Sequence, residues 1–131
     1  MTNKDVLKLI KDEEAVYVDI RFTDPRGKLQ HVTVMEDQVD EDFLEEGFMF
    51  DGSSIAGWKS IEASDMKLIP DTESAYIDPF YAEKTLCLHC TVVEPDTGEP
   101  YNRDPRGTAL LAEAYLKSSG IGDVSYWGPE A

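Results

Sequence analysis

Nine consecutive residues, Thr85 to Val93, alternate so regularly that they leave the backbone little choice. Leu86, Leu88, Cys90 and Val92 fall on one side of an extended chain. Thr85, Cys87, His89, Thr91 and Val93 fall on the other. Side chains two apart share a face only on a strand, so this segment belongs in a sheet. Val16 to Phe22 supplies a second strand, with Val16, Val18, Ile20 and Phe22 in phase. Asp24-Pro25-Arg26-Gly27 is a turn, because Pro presets φ and Gly tolerates positive φ. Lys28 to Val34 is the return strand of a hairpin. Leu29 is out of phase with Val32 and Val34, and a bulge after Gly27 is expected to repair this.

Helices flank these strands. Thr2 and Asp5 have the spacing of a capping box, with Val6, Leu7, Leu9 and Ile10 as the apolar face. Asp104 is placed to cap a second helix whose first residue is Pro105. Leu110, Leu111, Ala114 and Tyr115 give that helix an apolar side, and Gly120 ends it. Asp123 to Trp127 is expected to begin a further strand. The fold class is therefore α+β.

Composition excludes several functions. The 131 residues carry 27 acids against 12 bases, a formal net charge of −15. Such a polyanion gains nothing from a phosphate backbone or an anionic leaflet, so neither nucleic acid nor membrane is an expected partner. No apolar run approaches the ~18 residues of a membrane span, and Met1 to Asp5 lacks the charge pattern of a signal peptide. A cytoplasmic location is expected.

The cysteines do not make a metal or redox site. Cys87 and Cys90 stand three apart on the strand and must point to opposite faces. His31 and His89, the only histidines, provide no second pair for zinc. No Gly-rich phosphate loop is present. Any chemistry must therefore run on carboxylates.

Between Gly47 and Pro79 periodicity fails. Met66 to Ile69 and Ala75 to Ile77 are expected as short strands, and Asp51 to Trp58 reads as loop. Long irregular stretches in compact chains are often functional. Within this one, Asp51 follows the apolar Phe48-Met49-Phe50 and precedes Gly52-Ser53-Ser54. A partly desolvated acid oriented by loop hydroxyls and amides suits a cation site or a general base. The plainer alternative is an Asx turn, in which Asp51 only caps the loop. Glu130 follows Gly128-Pro129 and is the kind of oxygen donor that Mg²⁺ or Mn²⁺ takes; its alternative is a solvated acid. Glu36 to Glu46 holds seven acids in eleven residues, either a solvated face or a patch that steers a cation.

Three segments together resemble glutamine synthetase of the bacterial type I. They are Phe50-Asp51-Gly52-Ser53-Ser54-Ile55-Ala56-Gly57-Trp58 continuing to Ala63-Ser64-Asp65-Met66-Lys67-Leu68, then Tyr101 to Arg106, then Trp127-Gly128-Pro129-Glu130-Ala131. The resemblance implies a β-grasp N-terminal domain with a mixed sheet over residues 1–103. It implies the first helix and strand of a truncated catalytic domain over 104–131. It implies ATP-dependent ligation of ammonia to L-glutamate through γ-glutamyl phosphate, with Mg²⁺ or Mn²⁺ as cofactor and ATP as co-substrate. In that family the aspartate matching Asp51 holds ammonium and helps remove its proton. Ser54 lies in the same substrate-side loop, and Glu130 matches a ligand of the catalytic metal. Glutamate, ammonium and ATP are the implied partners, in a ring-shaped homo-oligomer whose active sites are shared between neighbouring subunits. A second metal-binding Glu would follow Glu130 two positions later, beyond Ala131, as would the ATP site. The 131-residue polypeptide alone is therefore expected to be inactive. Two alternatives stand beside this reading: a γ-glutamyl-amine ligase of the same superfamily, and a non-catalytic β-grasp interaction module.

Overall fold

The computed structural model of the chain describes residues 1–57 and 64–129. Its centre is β6 (Thr85–Val93), the alternating segment. Six strands form one mixed sheet in the order β2-β1-β6-β4-β3, with β5 also pairing to β6. The strands are β1 (Tyr17–Thr23), β2 (Leu29–Met35), β3 (Phe48–Asp51), β4 (Asp65–Pro70) and β5 (Tyr76–Ile77). β1 runs parallel to β6, from Tyr17 opposite Thr85 to Arg21 opposite His89. Every other pairing is antiparallel. The chain thus has the β-grasp architecture, an α+β fold.

Among the described residues, three α-helices accompany the sheet: α1 (Asn3–Asp12), α2 (Glu41–Glu46) and α3 (Pro105–Ser119). The capping box of α1 forms as its sequence requires. The Asp5 amide donates to Thr2 Oγ1 at 3.2 Å, and the Thr2 amide donates back to the Asp5 carboxylate at 2.8 Å. Val6 and Ile10 of α1 join Val18, Ile20, Leu68, Leu86, Leu88 and Val92 in the core, and Leu44 carries α2 into it. In the acidic stretch, all seven acids except the half-buried Glu36 are exposed, while Leu44 is 3% exposed. No helix among the described residues is long and apolar enough to cross a membrane.

Four details differ from the sequence expectation. β2 pairs with β1 in unbroken register from Leu29 to Met35. The chain gains its extra residue at Gly27 itself, which takes φ +82° in the turn, and Leu29 stays on the exposed side. No bulge brings Leu29 inward, because the outer face of an edge strand tolerates an apolar residue. Secondly, the apolar Phe48 to Phe50, for which periodicity predicted no element, forms a strand with Asp51, since these residues pair with β4. Thirdly, 123–127 is not a strand. A strand without a neighbour leaves its amides and carbonyls unpaired, and Val124, Tyr126 and Trp127 lie exposed. Finally, α3 has the expected ends, but Leu110, Leu111 and Tyr115 on its apolar side remain exposed.

Candidate functional site

Asp51 stands where β3 leaves the sheet. Gly47 makes the turn from α2 into β3 at φ +87°, and a Cβ there would meet the Leu68 carbonyl oxygen at 2.4 Å. Only glycine fits that approach. Along β3, Phe48 and Phe50 are half-buried, with the Phe50 ring 5.1 Å from that of Phe22. Met49 and Asp51 alternate outward to solvent. Gly52 is buried and donates its amide to the Ser64 carbonyl at 2.7 Å. A Cβ at Gly52 would lie 2.5 Å from Met66 Cγ, so the loop must begin with glycine to lie this close to β4.

Asp51 Oδ1 accepts the Ser53 amide at 2.9 Å and the Ser53 hydroxyl at 2.7 Å. These bonds, the hydroxyl first and then the amide, hold its carboxyl below the usual carboxylate range. Asp51 is exposed, not partly desolvated as its apolar neighbours suggested. Its charge is kept by hydrogen bonds rather than perturbed by burial. The Asx geometry and the oriented carboxylate are thus the same arrangement, because Ser53 and the Ser64 side chain orient the group while it still faces solvent. Such a carboxylate is a good holder of a small cation and a weak proton acceptor. Ser54 follows in the same one-turn helix and is exposed on the same loop.

The far end of this loop is held from elsewhere in the chain. Arg103 Nη1 donates to the Gly57 carbonyl at 2.7 Å. Gly57 has φ +89°, and a Cβ on it would lie 3.9 Å from Pro25 Cγ. Nothing in the local sequence announces this contact. The one available signal is the position of Arg103 beside Asp104, a helix cap that must be fixed in place.

A second polar group lies on the sheet face opposite the core. Asp19, fully buried, accepts from Arg21 Nε at 2.7 Å and from Thr33 Oγ1 at 2.8 Å, and it pairs with His31 Nδ1 at 2.7 Å. Arg21 continues to Asp78 at 2.8 Å and lies 5.8 Å from the centre of the Tyr76 ring. Burial alone would raise the Asp19 carboxyl, but the bonds from His31, Arg21 and Thr33 outweigh it and hold it below the usual range. A cavity of about 310 Å³ lies beside His31, lined also by Tyr17, Thr33, Tyr81 and Glu83. The signal available in the sequence was Asp19 itself, since Asp is rare inside strands. Cys87 and Cys90 are buried and unbridged on opposite faces of β6, and burial pushes the Cys87 thiol up to about 11. Cys90 packs in the core, whereas Cys87 on the other face lies against the Asp78 carboxylate at 3.9 Å.

The structure brings Asp51 and Ser54 together on one loop. Glu130 lies outside the described residues, as do Trp58 and Ala63 of the sequence signature. Among the described residues, no three His, Cys, Asp or Glu side chains converge on a position that could hold a metal ion. The residues described here do not by themselves fit a divalent metal centre.

Comparison with known proteins shows what the chain as a whole is similar to. Residues 14–95 match the family model of the β-grasp domain of glutamine synthetase. A glutamine synthetase of Cereibacter sphaeroides is 81% identical over 127 residues, which are 97% of this chain and 27% of that protein. A 3-hydroxylaminophenol mutase of Cupriavidus pinatubonensis is 60% identical over 126 residues, 96% of this chain and 27% of the relative. The chain therefore spans little more than a quarter of these relatives. A cryo-EM structure of Plasmodium falciparum glutamine synthetase superposes with a TM-score of 0.82 at 23% identity, covering 92% of this chain and 23% of that one. At that identity the match speaks for the fold alone.

Proposed function

The chain belongs to the glutamine synthetase family, and we propose that the full-length protein carrying it joins ammonia to the γ-carboxylate of glutamate at the expense of ATP. The observation that carries this reading is the Asp51 carboxylate, held ionised by Ser53 on a loop that glycine lets lie against β4. An exposed carboxylate of this kind binds ammonium as a charge-assisted hydrogen-bond acceptor. Of the two roles that Asp51 could take, holding the cation fits its lowered pKa better than abstracting a proton. Ser54 would complete the substrate side of the loop. The exposed acids of Glu36 to Glu46 would raise the local concentration of ammonium. Neutralising them should then weaken apparent ammonium affinity at low salt and not at high salt.

Residues 1–103 would be the β-grasp domain and 104–131 the start of the catalytic domain. Glu130 would be one ligand of a Mg²⁺ or Mn²⁺ ion, which supplies charge neutralisation during phosphoryl transfer. The assembly would be a ring of identical subunits in the cytoplasm. The 131-residue polypeptide alone would be inactive.

The test is glutamine formation by the full-length protein from glutamate, ammonium and ATP. Asp51→Asn is expected to lower kcat/KM for ammonium by ~100-fold or more, the usual scale for losing a positioned ionised group at a reacting centre. KM for ATP should stay close to wild type. Absence of ammonium-dependent glutamine formation would overturn the proposal. Conversion of 3-hydroxylaminophenol by the same preparation, without glutamine formation, would replace it with the activity named for the Cupriavidus relative.

A further inference from the structure

We infer that Arg103 is a positioning residue for the Asp51–Gly57 loop, tying the substrate-side loop to the start of α3. The inference rests on the role proposed for Asp51, and it adds a residue outside the loop on which that role depends. The backbone around Arg103 is fixed on both sides. Tyr101, buried, donates its amide to the Val92 carbonyl at 2.9 Å. Asp104, 1% exposed, accepts the Val92 amide on Oδ2 at 2.9 Å and donates its own amide to the Tyr101 carbonyl at 3.1 Å. Residues 101 and 104 therefore grip the two main-chain groups of one β6 residue. Arg103 projects from this rigid base.

Its guanidinium reaches the Gly57 carbonyl at 2.7 Å, a bond between residues 46 positions apart. The other end of the loop is fixed by the Gly52 amide on the Ser64 carbonyl and by the close approach of Gly52 to Met66. Asp51 and Ser54 thus lie near an anchor on β4, with Arg103 holding the loop where it leaves toward residue 58. Among the described residues, Ile55 packs the middle of the loop against the core, and the Arg103 bond fixes its backbone at Gly57. Small displacements of a binding group are costly when a cation must be met by a fixed carboxylate. An arginine suits the task because its charge strengthens a bond to a neutral carbonyl that stands exposed.

The experiment uses the full-length protein with Arg103→Ala and Arg103→Lys. For Arg103→Ala we expect KM for ammonium to rise ~10-fold while kcat changes less than ~2-fold. KM for ATP and Tm should stay near wild type. Arg103→Lys, which keeps a charged donor of similar reach, should restore most of the ammonium KM. Amide hydrogen exchange should accelerate in residues 52–57 of Arg103→Ala while exchange in α1 is unchanged. Unchanged ammonium KM and unchanged exchange at 52–57 would overturn the inference. So would a loss of Tm that accompanies the KM change and that lysine does not reverse, since that marks a structural role only. A wild-type protein that makes no glutamine would sink the proposed function instead, and the exchange comparison would then decide the role of Arg103 by itself.

Discussion

The tetrapeptide Asp-Pro-Arg-Gly occurs twice, at 24–27 and at 104–107, and does two different things. In both copies the aspartate accepts the amide two residues on, Arg26 at 2.9 Å and Arg106 at 3.0 Å. In both, the Asp carbonyl begins the next element. It takes the Gly27 amide at 2.9 Å in the first copy and the Thr108 amide at 3.0 Å in the second. There the likeness ends. Gly27 turns to φ +82°, and Asp24 goes on to accept Lys28 and Gln30 from the returning strand. Gly107 stays helical and buried, and Asp104 sends its second oxygen to Val92 in the middle of the sheet. Four letters set the first bend of the chain. The residues after them, patterned for a strand in one copy and for a helix in the other, set where the bend leads.

The comparison can be broken at several places. The largest effect is expected from Asp104→Ala. It removes a helix cap worth about 1 kcal/mol and leaves the buried Val92 amide unpaired, so a total near 3 kcal/mol is expected. Urea unfolding measures it. Asp24→Ala should cost less, because its backbone donors belong to the exposed Arg26 and Lys28, which water can serve. A larger midpoint shift for Asp24→Ala would reverse this reading of the two aspartates.

Glycine at the fourth position gives the next contrast. Gly27→Ala should destabilise by about 1 kcal/mol through its left-handed φ alone, since open space surrounds it. In Gly107→Ala the gain in helix propensity, about 1 kcal/mol, opposes the crowding of a Cβ 3.2 Å from Asp104 Oδ2. Its unfolding midpoint is expected close to wild type. Equal losses at the two positions would mean that the second copy is strained as well.

Acid sharpens the first copy. The Gln30 side chain and the Lys28 and Arg26 amides hold the Asp24 carboxyl below its usual range. A carboxyl lowered by folding stabilises the protein above the unfolded pKa and loses that contribution as pH falls through the folded one. Asp24→Asn should therefore flatten the decline in unfolding midpoint between about pH 5 and about pH 2. An acid limb as steep as that of wild type would count against the bonds to Asp24. The smallest effect is expected from Pro105→Ala, about 0.5 kcal/mol through the unfolded chain, with helix content unchanged by circular dichroism.

Much of this fold could be read from local pattern. The capping box at Thr2, the alternation of β6, the turn at Gly27 and both ends of α3 are decided within a few residues of themselves. The parts that escaped are those decided at a distance. Phe48 to Phe50 is too short to show a period, and becomes a strand because Met66 to Leu68 lies beside it. Asp19 can be buried only because Arg21, His31 and Thr33 surround it, two of them on another strand. At the candidate site, the resemblance of the motif is what singles out Asp51 and Ser54. It does not give the physical state of Asp51, since burial followed from strand register and its outward place at the end of β3. The reach of Arg103 to Gly57 joins segments that no local pattern connects.

The position of β6 has a consequence for how the molecule is made. It pairs with β1, β4 and β5, yet it is the last strand of the sheet to be synthesised. Until its residues leave the ribosome, the β1–β2 and β3–β4 hairpins have no common partner, and an isolated hairpin is marginally stable at best. Assembly of the sheet must then close long loops in one late step, which slows folding. The nascent chain meanwhile exposes the inner edge of β1, an unpaired row of amides and carbonyls flanked by Val18, Ile20 and Phe22. Such an edge is open to the wrong partner, so the interval before β6 emerges is when this chain most needs protection from its neighbours.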